Sequence, residues 1–201
     1  MWEGLATRLK GRLVTLEPLA RQHVDGLWSA AQDEAVWRWM TTDAGRDETS
    51  FRAWVEAALA AAASGTEAPF AVLEAREGRP VGSTRYLSLR PEHAGLEVGY
   101  TWLGRDAWGT GANAEAKLLL LEHAFDRHGC MRVEFKTNAR NERARRALEA
   151  LPARFEGVFH KHMLVRDGET RDSAWYSVTD DEWPAVRAAL ERRVDAFASR
   201  R

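Results

Sequence analysis

A chain of 201 residues with 45% hydrophobic content can bury one sizeable core but is short for two, so one domain over 1–201 is expected. Lys plus Arg number 29 against 30 Asp plus Glu, which removes any overall pull toward nucleic acid or anionic lipid and favours a small-molecule or protein partner. The single cysteine, Cys130, excludes an intrachain disulfide and a cysteine-based zinc cluster; with no signal-like stretch and no run of about 18 apolar residues, a soluble cytoplasmic protein is expected.

In chain order, RLVTLEPL alternates and reads as a strand stopped by Pro18, while RQHVDGLWSAAQ and SFRAWVEAALAAAAS carry helical spacing, the second ending before Gly65. Between those helices VWRWMTT gathers Trp37, Trp39 and Met40 into an aromatic group that suits core packing or a cleft lining. APFAVLEA and RPVGSTRYLSLR flank Arg76-Glu77-Gly78-Arg79, a hairpin signal, and AGLEVGYTWLG is a third alternating run after Pro91, completing an antiparallel meander. WGTGANAEAKLLLL then leads into a helix expected from about Asn113 to His128, with Ala114, Lys117, Leu118, Leu121 and Phe125 on one stripe. MRVEFKTN is a strand, NERARRALEAL a short helix and FEGVFHKHMLVRDGETRDSAWYSV a final hairpin turning at Asp167-Gly168. TDDEWPAVRAALERRVDAF is a C-terminal helix over about 180–198 with Thr179 as its N-cap.

The strand, loop, helix and strand from Gly95 to Asn138 imply a parallel pair with a right-handed crossover. The expected fold class is therefore α+β, a mixed and mostly antiparallel sheet of about seven strands flanked by helices. Glycine backbone feeding a helix N-terminus presents several N–H groups to an anion, with the helix dipole behind them. A P-loop does not fit, because Lys117 lies a turn and a half into the helix and Leu118 follows it. GTGANA satisfies a dinucleotide fingerprint with Glu134 downstream, but LEVGYTWL alternates, carries Glu97, and is separated from Gly109 by Gly104-Arg105-Asp106. A helix-initiating turn with no ligand also accounts for two glycines.

The order of elements, with LEVGYTWLGRDAWGTGANAEAKLLLLEHAF and RVEFKTNARNERARRALEAL, resembles the GNAT superfamily of acetyl-CoA-dependent N-acetyltransferases, in its RimJ/RimL-like branch, over about residues 10–179. The family loop, Gln/Arg-x-x-Gly-x-Gly/Ala, falls on Trp108 to Asn113, where only Gly111 matches strictly; Trp-Gly-x-Gly followed by Glu-Ala, here Trp108 to Ala116, is the form of that branch. The resemblance implies acetyl-CoA as co-substrate and no metal. Its pyrophosphate would meet the backbone of Gly109, Thr110, Gly111, Ala112 and Asn113 after Trp108. Its pantetheine arm would lie along Trp102, Leu103 and Gly104 as an added strand. Asn141 matches the asparagine that binds this arm, or is an ordinary helix cap. The arginines at 140, 143, 145 and 146 suit adenosine phosphates or a solvated helix face.

The chemistry implied is attack of a neutral amine on the acetyl thioester, with a base and a donor to the departing thiolate. Glu97, which precedes Gly-Tyr as in similar enzymes, is the candidate base, although an alternating strand also carries glutamates that merely face solvent. Relatives place a serine donor where Ala144 stands, so Tyr176, Tyr100 or water must act instead. Trp37 and Trp39 are the candidate acceptor-binding residues. The acceptor is a protein N-terminus or a small-molecule amine, and homodimerisation is a family-level expectation; membrane and nucleic acid are not expected partners. His160 and His162, two apart, could suit a metal or a surface role. Two rival functions stay open: a non-catalytic acyl-CoA- or RNA-associated module, favoured by Ala144 and the arginine helix, and a nucleotide-dependent oxidoreductase using GTGANA.

Overall fold

The computed structural model describes residues 2–199. In chain order its elements are β1 (Leu9–Lys10), β2 (Val14–Pro18), α1 (Val24–Ala30), α2 (Glu34–Trp37), α3 (Glu48–Ala63), β3 (Ala68–Glu74), β4 (Pro80–Arg90) and β5 (Gly95–Leu103). There follow α4 (Ala112–Glu122), β6 (Arg132–Asn138), α5 (Glu142–Glu149), β7 (Arg154–Leu164), β8 (Thr170–Thr179) and α6 (Trp183–Ala198). The strands form one sheet in the order β1-β2-β3-β4-β5-β6-β8-β7, antiparallel throughout except for β5 beside β6. Eight strands stand where about seven were expected. The addition is β1, whose two residues are too few to show alternation.

Alternation explains the layers. On β3, Phe70 and Val72 enter one buried cluster with α4 and α6, while Ala71 and Leu73 enter a second with α1 to α3. Both sheet faces are thus apolar and both are covered. α3 shows the matching helical period, with Phe51, Trp54, Val55 and Ala58 buried and Asp47 capping its start by accepting from the Ser50 N–H at 2.7 Å.

Three boundaries differ from expectation. α4 gives way after Glu122 to a π-helical turn over His123–Arg127, so the long helix is two segments. The four-residue α2 is too short to leave a periodic signal, and is held by its Asp33 cap and by the Trp37 Nε1 hydrogen bond to Ala31 O at 2.8 Å. Thr179 is not the N-cap of α6: it ends β8, and the helix begins at Trp183 with Pro184 in its first turn. The Glu182 carboxylate instead accepts from both the Thr179 N–H and its hydroxyl at 3.1 Å.

One tie fixes the start of α4. The buried Glu115 carboxylate accepts from the backbone N–H groups of Arg12, Leu13 and Val14 at 2.8, 2.6 and 2.7 Å, binding the β1–β2 turn to the helix. At the other sheet edge, β7 leaves Phe155, Phe159 and Leu164 exposed, and its pairing with β8 breaks register twice.

Candidate active site

The parallel pairing is short. It runs from Gly95 opposite Arg132 to Glu97 opposite Glu134 and stops, although β5 continues to Leu103 and β6 to Asn138. A bulge accounts for the parting: Arg85 faces Gly99 and Ser83 faces Trp102, so Tyr100 and Thr101 together oppose Thr84, and Tyr100 takes a left-handed φ of 47°. Past the bulge, the facing edges of β5 and β6 carry backbone groups with no partner strand among the described residues. A cavity of about 540 Å³ occupies the gap, a volume suited to an organic ligand.

One end of the cavity is built for an anion. Gly111, the N-cap of α4, has φ 90°, and a Cβ there would strike Phe197 and Leu13 at 2.7 to 2.8 Å; a Cβ on Gly109, at φ 73°, would meet nothing within 4 Å. Gly111 thus lets the helix start against α6 and the β1–β2 turn, and Gly109 leaves open space beside the loop. The N–H groups of Asn113 and Ala114 have no acceptor among the described residues, as befits a first turn, and the positive end of the helix dipole lies with them. Trp108 donates from Nε1 to Leu103 O at 2.8 Å, and its ring lies under the guanidinium groups of Arg143 at 3.3 Å and Arg105 at 4.5 Å. Desolvation, and after it the Arg105 charge, lower the Arg143 pKa, with Asp33 opposing. Clustered cations beside a helix N-terminus and open glycine backbone fit a phosphate.

Asn141 lines the same cavity and caps α5, its Oδ1 accepting from the Ala144 N–H at 3.1 Å. Ala144 lines it too. Further along, Glu97 is buried and accepts from Lys136 Nζ at 2.7 Å and from the Ser88 hydroxyl at 3.3 Å. Lys117 enters from α4 with its ammonium group donating to Thr101 Oγ1 at 2.8 Å, and burial brings its amine down to about 7. Arg171 of β8, buried, completes that end with Tyr100, Trp39 and Met40.

Of the residues singled out from the sequence, Glu97, Trp39, Trp102, Leu103, Trp108, Gly109, Gly111, Asn113 and Asn141 meet in this one cavity. Gly104, Thr110 and Ala112 lie outside its lining. A Cβ on Gly104 would meet Ala30 O at 2.7 Å, so that glycine serves the packing of β5 on α1, and the Thr110 hydroxyl donates to Ala107 O at 2.8 Å inside the loop. Trp37 is 1% exposed and belongs to the aromatic core with Phe51, Trp54 and Trp102, so it does not bind an acceptor. Tyr176 is also absent from the lining: it is fully buried and its hydroxyl accepts from Arg145 Nε at 3.0 Å, which leaves it no route to a thiolate here. Sequence reasoning missed Lys117, Lys136 and Arg171. Only Lys117 left a signal, as a charge on an otherwise apolar stripe.

The residues behind the rival readings have other partners here. The arginines of α5 each have a partner, Arg143 the Trp108 ring, Arg145 Tyr176 and Ala139 O, and Arg146 Glu142. Glu134 pairs with Arg90 at 2.7 Å and Arg132 at 2.9 Å at the closed part of the sheet, away from the strand end where a ribose would sit. His160 and His162 separate, the first beside Asp172 and the second beside Ser173, and no group of three metal-ligating side chains occurs among the described residues. No described helix is long and apolar enough to cross a membrane.

Comparison with known proteins agrees with this geometry. The Acetyltransferase (GNAT) domain family matches residues 13–154. A T. thermophilus protein assigned to the acetyltransferases is 41% identical, with 96% of this chain and 99% of that one covered and a TM-score of 0.87. The uncharacterized N-acetyltransferase p20 of Bacillus licheniformis is 24% identical over 156 residues, 78% of this chain and 84% of that protein. RimJ of Mycobacterium smegmatis, solved with CoA-disulfide, shares the fold at a TM-score of 0.77 and 22% identity, covering 94% of this chain and 93% of its own. The glycine loop opening onto a free helix N-terminus beside two parted parallel strands thus lies within a fold shared with these relatives, and the chain belongs to the GNAT acetyltransferases and is an N-acetyltransferase.

Proposed function

We propose that the protein moves an acetyl group from acetyl-CoA to a primary amine, on a small molecule or at a protein N-terminus, by direct attack on the thioester. The observation that carries this is the parting of β5 from β6 beyond Glu97, next to the unpartnered first-turn N–H groups of α4. When bound, the co-substrate supplies an activated acetyl thioester. The phosphates would be held by the backbone of Gly109 to Ala114 with Arg143 and Arg105 nearby, and the pantetheine arm by the side of β5 near Trp102 and Leu103 that β6 leaves uncovered, where the Leu103 carbonyl already accepts from Trp108, and by the Asn141 amide.

Glu97 takes the proton of the attacking amine, directly or through water, with Lys136 holding its carboxylate in place. Lys117 is a second basic group in the same cavity, since an amine near 7 is about half neutral at neutral pH. With Ala144 in the serine position and Tyr176 remote, Tyr100 or water serves the departing thiolate, a fair leaving group that needs little help. We also propose a cytoplasmic setting and a homodimer, the latter checked by light scattering.

The test is calorimetry with acetyl-CoA, NADP and a short RNA on the wild type, Gly109→Asp and Gly109→Asn. Asp and Asn both tolerate a left-handed backbone, and only Asp adds charge to the open space. Acetyl-CoA alone should bind the wild type, and Gly109→Asp should lose roughly tenfold or more in affinity relative to Gly109→Asn. Equal binding by the two variants would place the phosphates elsewhere.

A further inference from the structure

The end of the cavity away from the glycine loop holds a buried guanidinium with no carboxylate paired to it among the described residues. Arg171 lies on β8 opposite Met163 and is 7% exposed. Among the described residues no carboxylate pairs with its guanidinium, and its Nε hydrogen has no acceptor. Glu97 is near enough to act on it electrostatically but is already in contact with Lys136 at 2.7 Å. Two cations therefore share one anion. Of the other charged groups close by, Arg85, stacked on Tyr100, is paired with Glu67 at 2.7 Å, and His162 is lowered by burial and by the charges of Lys136 and Arg171, which favours its neutral form, whereas Lys117, near 7 and without a carboxylate partner among the described residues, adds to the positive side. A second polar atom in the same lining, the Thr41 hydroxyl, is likewise buried without a partner.

Burying a guanidinium with its donors unmet is unfavourable, and an arrangement of this kind is completed by a ligand that brings the missing anion. We infer that Arg171 binds a carboxylate carried by the acceptor, so that the amine acetylated by this protein belongs to an amino-carboxylate. This rests on the transferase reading above and narrows it. The planar fork of Arg171 matches a carboxylate through paired N–H donors. The positive surplus, from Arg171 and in part from Lys117, calls for an anion, and the flat two-oxygen carboxylate is the one that the guanidinium fork matches. Polycationic amines are disfavoured by the same surplus. The carboxylate can come from a free amino acid or from an acidic side chain near a peptide N-terminus, and the two sources are separable.

The experiment measures acetyl transfer by thiol release from acetyl-CoA with matched acceptors: each amino acid against its own primary amide, and tripeptides with Asp against Asn at the second position. The amide amine is the less basic, so intrinsic reactivity works against the expected result. The wild type should favour the carboxylate partner in kcat/KM by roughly ten- to a hundredfold, the range of a hydrogen-bonded ion contact. Arg171→Gln should bring that ratio close to one, and Arg171→Lys should restore part of it. Preference among free amino acids alone identifies a small-molecule acceptor, and preference among the tripeptides alone identifies a peptide. Equal use of both partners by the wild type, or a preference that survives in folded Arg171→Gln, overturns the inference and leaves the transferase reading standing. If no amine is acetylated, binding of N-acetyl amino acids and their amides to the CoA-loaded protein decides: Arg171-dependent binding of the carboxylate form keeps the site and sinks the transferase reading. Absence of such binding overturns the site.

Discussion

Replacing Lys117 with methionine should make the protein more stable, and by an amount that depends on pH. The Lys117 side chain is 7% exposed; its nitrogen contacts the Thr101 hydroxyl and lies 5.5 Å from the Phe135 ring centre, with no carboxylate paired to it among the described residues. Burial takes the amine from its ordinary 10.5 to about 7, a drop worth roughly 5 kcal/mol at about 1.36 kcal/mol per pH unit. Between those two values the unfolded chain carries the extra proton, so stability attributable to this group rises with pH across that window. The penalty relative to the unfolded chain is roughly 4 kcal/mol at pH 7, where half the folded molecules are protonated, and roughly 2 kcal/mol at pH 9. Methionine has similar length and no charge to desolvate. Urea denaturation of both proteins at the two pH values should therefore show Lys117→Met ahead by about 2 to 4 kcal/mol at pH 7, with the margin shrinking by roughly 2 kcal/mol at pH 9. Other titrating groups, such as Cys130 and Tyr86, occur in both proteins and cancel in the difference. A margin that is absent at pH 7, or constant between the two values, would show that the folded amine keeps its proton and is no base.

Three further outcomes can be checked. Glu97→Gln should lower turnover on the order of a hundredfold with little change in acetyl-CoA affinity, and the loss should shrink from pH 7 to pH 9.5 as the amine deprotonates unaided; a constant loss would mean positioning. Glu115→Ala strands three backbone N–H groups and should cost about 3 kcal/mol or more in chemical denaturation, whereas a cost under about 1 kcal/mol would show that water replaces the carboxylate. Cys130 is buried and desolvation pushes its thiol up to about 12, so a disulfide reagent at pH 8 should leave the native protein unlabelled and react promptly after unfolding; fast native labelling would contradict the burial.

What could be read ahead of the coordinates followed from local rules. Alternation over AGLEVGYTWLG, the glycine punctuation at 109 and 111 and the apolar stripe of α4 each depend on neighbours in sequence, and all three lie where they were expected. Elements below the length of a period were not legible: two residues of β1 and four of α2 exist because β2 and the aromatic core receive them. Among site residues, chemistry was visible and placement was not. Trp37 and Trp39 are of one type and two positions apart, yet one is enclosed by Phe51, Trp54 and Trp102 while the other lines the cavity. Tyr176 fits a donor by type, but pairing of β8 between β6 and β7 carries it into the core beside Arg145. Arg171 sits in a hairpin crowded with charges, and only the fold shows that it is buried with no carboxylate paired to it among the described residues.

The edge strand β7 bears on how copies of this chain can associate. A long flat edge with exposed Phe155, Phe159 and Leu164 would recruit a neighbour's strand and invite runaway sheet growth. Here the register breaks between Phe155 and Gly157 and again between Phe159 and Met163, and Gly157 and Lys161 take positive φ values of 141° and 48°. Each break twists the backbone donors and acceptors out of line. A neighbour can still rest on the phenylalanine rings, but it cannot add hydrogen bonds rung by rung. Any assembly through this edge would therefore be cemented by side chains and not by a sheet continued from one copy into the next.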